Sequence, residues 1–437
     1  MMKRRLLFML FISILVNLSS FLVPAQETHE IVIKPRKYVA TIAIPPFSRK
    51  AESEEMKSGM LSEVIYRDLE LSGFFLRPQN EKFVIETNSS DQASGKIDFA
   101  EWNRLGCSFL LKGEYTLSPS SITADCYLYD VKTGARVFGK NFGNYPRDAW
   151  RRLAHRISDE IVRYVTHDQG IACSQIIYIS KQGKGKDLYI MDADGSGQRA
   201  LTSDQNLAAA PCWGYGGGEI YFTSYKQHNP DLWVVRLSDN QTGVISSHPG
   251  FNLSPSWCEK IQRLVLTLSK DGNSEIYSMD YRGKNLKRLT YDRAIDSSPC
   301  WSPEGNQIVF TSDRSGSPQI YLMDSEGLNV RRLTFQGSYN DSPVWSPLGD
   351  RIAFASRKGG YFHIFLMNTD GSNWVQLTEG SSNNEDPAWA PDGHHLAFTS
   401  DRTGSPQVYV INDEASILLQ LTKNGKNQSP SWSPVLY

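Results

Sequence analysis

A tryptophan with a proline two residues before it recurs six times in this chain, at Trp213, Trp257, Trp301, Trp345, Trp389 and Trp432, spaced 44, 44, 44, 44 and 43 residues apart. The prolines are Pro211, Pro255, Pro299, Pro343, Pro387 and Pro430. The stretch SPCWSPEGNQIVFTS, beginning at Ser298, is nearly repeated as SPVWSPLGDRIAFAS, beginning at Ser342. Two further columns keep the period: QIIYIS, EIYFTS, RLVLTL, QIVFTS, RIAFAS and HLAFTS, then DLYIMD, DLWVVR, EIYSMD, QIYLMD, HIFLMN and QVYVIN twelve residues on. A fourth column runs ALT, VIS, RLT, RLT, QLT and QLT. A period of this length marks a row of like supersecondary units, none of which can bury its apolar faces alone.

Each column is a short run of Ile, Val, Tyr, Phe or Thr, which suits a pleated strand. The separators SPEG, SPLG, APDG, DRSGS and DADGSG place Asp and Gly where hairpins need turn geometry. The longest link joins the LT strand to the next PxW strand, as a crossover between sheets would. Each unit is therefore a four-stranded antiparallel sheet, a propeller blade. The phase of the repeat decides between ring and open stack. The first unit opens at Gln175 with no PxW strand before it, and the last PxW strand, PSWSPVLY, has no successor. Residues 175 to 437 number 263, one fewer than six times 44. The C-terminal strand thus supplies the missing strand of the first blade and closes a six-bladed ring. A linear solenoid would need polar caps instead.

Lys3, Arg4 and Arg5 precede the 11-residue apolar region Leu6–Val16, and Val23–Ala25 offers short side chains for cleavage, which predicts a secretory signal over 1–25. A membrane anchor would need about 20 apolar residues, so the mature chain is expected to be exported without inserting into a membrane. Residues 26–168 lack the repeat. There YVATIAIPPF (38–47) reads as a buried strand, and Glu54–Leu71 as a helix with Met56, Met60, Val64 and Leu71 on one face. SFLLKGEY, TADCYLYDV and VFGKNF read as three more strands, and Arg147–Val165 as a helix burying Trp150, Leu153, Ala154, Ile157 and Ile161. The expected fold is mainly β: a six-bladed β-propeller over 169–437 behind a small α/β domain over 26–168.

With 46 basic against 47 acidic residues, no basic face for nucleic acid is expected. The six cysteines form no CxxC pair, and Cys212 and Cys300 hold equivalent places where other units carry Ser, Val or Ala, so they read as small filler. The eight histidines are scattered without HExxH, and His394 and His395 should point to opposite faces of one strand. DADGSG (192–197) begins like a calcium loop, but Ser203 stands where the bidentate glutamate belongs, so it reads as a turn. No GxSxG elbow is present. QGKGKD (182–187) reads as a hairpin turn, and PRDAWRRLAHRISDE as a solvated helix face. Five residues follow Trp432, so the α/β-hydrolase domain that accompanies peptidase propellers is not expected. No catalytic residue, cofactor or metal is expected.

What remains is a binding surface. All six crossover loops enter PxW strands, hence lie on one face and surround the channel mouth. Asn252, Asp296, Asn340, Asp341, Asn384, Glu385 and Asp386 make that rim polar and acid-leaning, a docking site for another protein. Two other classes stay open: an exported polysaccharide lyase or hydrolase, which would need histidines or paired carboxylates along the channel, and a carbohydrate-binding propeller that binds without turnover.

The PxWSPDG…IAFxS…IYxMDxDG…LT unit, joined to VATIAIPPF and to WRRLAHRISDEIVRYVTHDQGIACSQIIYIS, resembles the TolB family of periplasmic Tol–Pal proteins over essentially the whole mature chain. The resemblance implies a non-enzymatic protein that binds the outer-membrane lipoprotein Pal and communicates with the inner-membrane protein TolA, in envelope integrity and cell division. It carries the Pal contact onto Phe251, Asn252 and Ser254 and onto Asp296, Ser297 and Ser298. The rim extends the same surface to Asn340, Asp341, Asn384, Glu385 and Asp386. TolA falls to the mature N-terminus QETHEIVIKP, with Glu27, Glu30, Ile31, Val32 and Ile33 in an extended segment able to join a sheet edge. Docked alternately on the body and on a partner, that segment could bias Pal binding by population shift. One unit departs from the pattern, with WCEKI in place of the Ser-Pro-Asp-Gly turn.

Overall fold

The computed structural model describes residues 39–50, 54, 56, 57 and 59–436. The expected signal and Glu27, Glu30, Ile31, Val32 and Ile33 lie outside the described residues.

The N-terminal part is built on one sheet in the order Phe75–Leu76, Ala40–Ala43, Phe109–Leu117, Ser121–Asp130, Arg136–Pro146, with Ser48–Arg49 also pairing Phe109–Leu117. Alternation decides its faces. In Ser121–Asp130 the side chains of Ile122, Ala124, Cys126 and Leu128 all turn inward. Helices α1 (Met60–Leu71) and α4 (Trp150–Thr166) cover that face through Leu61, Ile65 and Leu69 and through Leu153, Ile157 and Ile161. Helices α2 (Glu81–Ser94) and α3 (Phe99–Arg104) cover the other, where Val84 and Trp102 meet Ala43 and Leu110.

Two differences from the sequence reading have physical causes. The helix expected over Glu54–Leu71 begins only at Met60. Gly59 there takes φ +78°, and upstream the backbone N–H groups of Lys50 and Glu54 bond Tyr115 and Leu117 of the neighbouring strand. Helix α2 was not anticipated because its inward stripe, Val84, Thr87, Asn88 and Asp91, has helical spacing but mostly polar residues. Asp91 accepts from the Trp102 indole and pairs with Lys112, both at 2.9 Å, which is why a polar stripe can face inward.

The repeat folds as six four-stranded antiparallel sheets. Five run inner to outer in chain order. The sixth takes its inner strand from Lys426–Trp432, which pairs with Gln175–Lys181 in the register Trp432↔Ile176 and Asn427↔Ser180. The ring is closed as expected. Side-chain bonds seal the closure: the Trp432 indole donates to Ser174 Oγ at 2.7 Å, and Gln175 N to Ser433 Oγ at 2.8 Å. Second strands such as Gln307–Ser312 are buried almost throughout, because blades pack on both of their faces. Phe310, Phe354 and Phe398 are fully buried there, 5.9 Å from Tyr321, Phe365 and Tyr409 of the adjoining strands.

The threonine of each LT motif also finds its purpose. Thr290, Thr334, Thr378 and Thr422 each accept, through Oγ1, a backbone N–H of the third strand at 2.9 Å, and Thr202 does so at 3.0 Å. That bond ties the end of the outer strand to its neighbour at the point where the chain leaves for the next blade.

Candidate functional site: the crossover face and channel

Inner and third strands run away from the crossover loops, second and outer strands toward them. The WSPEGN and DADGSG turns therefore lie on the face opposite the crossovers. Contacts show what covers that opposite face: Arg151 of α4 pairs with Asp194 of the DADGSG turn, and Gly73 abuts Ile417 of the corresponding turn two strands from Trp389's strand. Among the described residues, these contacts set the α/β domain against the far face at the first and last blades.

Each inner strand carries the same break. The register shifts between Ala209 and Cys212, Leu253 and Ser256, Ser297 and Cys300, Asp341 and Val344, Glu385 and Ala388, and Gln428 and Ser431. At each bulge one non-glycine residue takes positive φ: Ala210 (45°), Ser254 (51°), Ser298 (50°), Ser342 (53°), Asp386 (52°) and Ser429 (51°). Each stands directly before the motif proline. The bulge turns these six small or polar side chains into a central cavity of about 1080 Å³, walled beyond them by the prolines and tryptophans of the repeat. Six non-glycine residues in a conformation that costs each of them steric strain mark a feature held by the ring as a whole. Cys212 and Cys300 lie half-buried in the same wall, their sulfurs near the carbonyls of Trp213 and Trp301.

The rim residues picked from the sequence divide into two groups. Asn252, Asp296, Asn340 and Asn384 open their strands fully buried, and their side chains hold the loops in shape. Asn252 Oδ1 accepts from Ser246 Oγ at 2.7 Å. Asn340 Nδ2 donates to Gln319 Oε1 at 2.8 Å, beside Thr334 Oγ1 on the same oxygen. Asn427 repeats this with Gln407 and Thr422 at 2.8 and 2.7 Å. Both oxygens of Asp296 accept from Arg314 Nη2, at 3.0 and 2.9 Å, and Asn384 accepts from Arg402 at 2.7 Å. These four side chains offer a partner no surface; they set the loops that would.

Ser254, Ser297, Ser298, Asp341, Glu385 and Asp386 are half-buried at the mouth, and Phe251 is exposed. The acids gather on one side. Asp341 accepts from Thr311 Oγ1 at 2.7 Å, and Asp386 from Thr399 Oγ1 at 3.1 Å and Ser429 Oγ at 3.0 Å. Burial pushes the carboxyls of Glu385 and Asp386 up, and neighbouring acids, Asp341 among them, push both further.

Sequence reasoning missed the apolar half of the rim. Tyr291 and Phe335 are 74% and 75% exposed on crossover loops, with Leu207 and Ile295 also exposed on theirs. Arg288 and Arg332 lie under the two rings, 4.7 and 5.0 Å from their centres. The signal was present as bulky residues inside turn-rich links, but only the fold puts them on one face with Phe251.

Only His395 of the histidine pair lies in the strand, His395–Ser400; His394 ends the turn before it, and the two meet different carboxylates, His395 Nδ1 that of Asp392 at 2.6 Å and His394 Nδ1 that of Asp413 at 3.0 Å. The solvated-face reading of Arg147–Glu160 needs correction. His155, Ser158 and Asp159 of α4 are buried, because this side of the helix packs on α1 and on the first blade. Among the described residues, no helix is long and apolar enough to cross a membrane.

Comparison with known proteins places these features. Residues 31–137 match the TolB amino-terminal domain and residues 162–436 the TolB beta propeller domain. The Tol-Pal system protein TolB of Syntrophotalea carbinolica is 35% identical over 160 residues, 37% of each chain. That of Anaeromyxobacter sp. (strain K) is 35% identical over 204 residues, 46% of each chain. The chain thus spans less than half the length of these curated relatives in its matched stretch. The crystal structure of TolB from Acinetobacter baumannii superposes with a TM-score of 0.78 at 26% identity, covering 92% of this chain and 98% of that one. An amino-terminal domain and a closed six-bladed ring, matched in tandem by both family domains, make this chain a member of the TolB family.

Proposed function

We propose that this chain is an exported, non-enzymatic component of a Tol–Pal system, acting in the periplasm. Its crossover face binds the lipoprotein Pal, and its mature N-terminal segment, with Glu27, Glu30, Ile31, Val32 and Ile33, engages TolA. Bridging the two contributes to outer-membrane integrity and to constriction at division. The observation that carries the reading is the set of exposed bulky side chains on the crossover face. There Phe251, Tyr291, Ile295 and Phe335 stand exposed on the crossover loops, above a channel lined by Ser254, Ser298 and Asp386, with the half-buried acids Asp341 and Glu385 on the same inner strands. Exposed bulky apolar and aromatic side chains next to polar groups are the usual composition of a protein-docking surface. The buried Asn252, Asp296, Asn340 and Asn384 serve it by fixing the loops.

Calorimetric titration of the mature protein with the soluble domain of Pal tests this. Saturable binding is expected, weakened at least tenfold, about 1.4 kcal/mol, in Phe251→Ser or Tyr291→Ser. No binding by the wild-type chain, or equal binding by both variants, would reject the assignment. Deleting residues 26–33 should alter Pal affinity; an unchanged value removes the switch and leaves the docking face standing.

A further inference from the structure

The DADGSG turn, which the proposed function leaves unused, meets a second set of chemistry-bearing groups where α4 packs on the first blade. His155 of α4 is 4% exposed, and its Nδ1 lies 2.8 Å from Asp68 Oδ2 of α1. Ser158 Oγ donates to the same carboxylate oxygen at 2.8 Å. The other ring nitrogen, Nε2, is buried without a hydrogen-bond partner and points at the turn, 3.6 Å from Asp192 Oδ2. Asp194, two residues on, completes a trio whose ligand atoms all lie within 4.8 Å of one another.

We propose that His155 Nε2, Asp192 and Asp194 form a binding site for a divalent transition metal of the zinc class, at the boundary between the α/β domain and the propeller. Three observations support it. The 3.6 Å gap is too long for a hydrogen bond. It is close to the roughly 3.4 Å that separates two ligands held at about 2.0–2.2 Å on one tetrahedral ion. The Asp68 carboxylate orients the imidazole from behind, as outer carboxylates do for metal-bound histidines. Finally, with a neutral imidazole, the carboxylates of Asp68, Asp192 and Asp194 outnumber the single guanidinium of Arg151, leaving two negative charges for a divalent ion to balance. One nitrogen and two carboxylates favour zinc or manganese over calcium.

Arg151 is the resident competitor. Its Nη2 meets Asp194 Oδ2 at 2.7 Å and also Ser196 Oγ, while its Nε, 3.6 Å from Asp192, is buried without a partner. An incoming metal would displace that guanidinium from Asp194. The site would join α4 to the third strand of the first blade, Asp187–Asp192, across the domain boundary.

The test is calorimetric titration of the chelator-stripped mature protein with Zn²⁺, and with Mn²⁺ and Ca²⁺ in parallel. Bound metal is counted by mass spectrometry and folding checked by circular dichroism. One saturable Zn²⁺ site is expected, weakened at least tenfold by Asp194→Asn and by His155→Gln, and tightened by Arg151→Gln. Asp194→Asn keeps the side chain's shape, so it remains informative should His155→Gln fail to fold. Absence of saturable binding in the wild type, binding unchanged in folded Asp194→Asn, or loss of binding in Arg151→Gln would each overturn the proposal.

Discussion

Removing Arg314 should loosen the crossover face from beneath. Its guanidinium holds both oxygens of Asp296, a carboxylate with no exposed surface, while the arginine side chain keeps 19% of its own. It also lies 5.0 and 5.5 Å from the rings of Tyr321 and Phe310. Breaking a buried pair costs about 3–5 kcal/mol. Allowing for the arginine's partial contact with water, Arg314→Ala should cost about 2–4 kcal/mol. The molecule contains its own control, because two blades further on Arg402 makes the same contact to Asn384, an amide. Asp296→Asn should therefore cost no more than about 1 kcal/mol. Burial already pushes the Asp296 carboxyl up against the pull of Arg314, and without the arginine it rises further. A carboxyl raised above its unfolded value of about 3.9 destabilises the fold fully above its folded pKa and not at all below the unfolded one. The Arg314→Ala defect should therefore be largest at neutral pH and shrink toward pH 4. Equilibrium urea unfolding across that range measures it. The reasoning fails if Arg314→Ala matches the wild type, if Asp296→Asn costs as much, or if the defect ignores pH.

Two further outcomes follow from the ring. Trp432→Ala removes a buried indole that packs with Leu71, Ile171 and Ile176 and donates to Ser174, so it should cost about 3–5 kcal/mol in urea unfolding; a loss under 1 kcal/mol would mean that the C-terminal strand does not close the ring. Asp386→Ser installs the residue found at the equivalent bulge in four other blades, and burial holds the aspartate's pKa up. Stability at pH 7.5 should rise by about 0.5–2 kcal/mol, a gain that vanishes below pH 4 and that thermal denaturation at the two pH values would show or deny.

The sequence by itself determined the architecture. A PxW motif at a 44-residue period, in an array that starts one strand into its first unit and ends on a lone PxW strand, admits few arrangements other than a closed ring of six sheets. Apolar periodicity likewise placed α4 and the long strands, because hydrophobic burial writes itself into spacing. Helix α2 and the start of α1 escaped for the converse reason. One turns a mostly polar stripe inward and bonds Asp91 to Trp102 and Lys112, and the other is cut short by a neighbouring strand and Gly59. The direction of side chains on the crossover face was also beyond the sequence. Asn252 and Phe251 are adjacent, yet one is sealed in its own loop and the other faces water. Likewise His155 and Asp192 stand far apart along the chain and come together only where α4 meets the first blade. Local pattern records which residues must leave water. Which polar group meets which is settled only when distant segments are packed, since a buried donor or acceptor is satisfied by its neighbours in space and not by its neighbours in sequence.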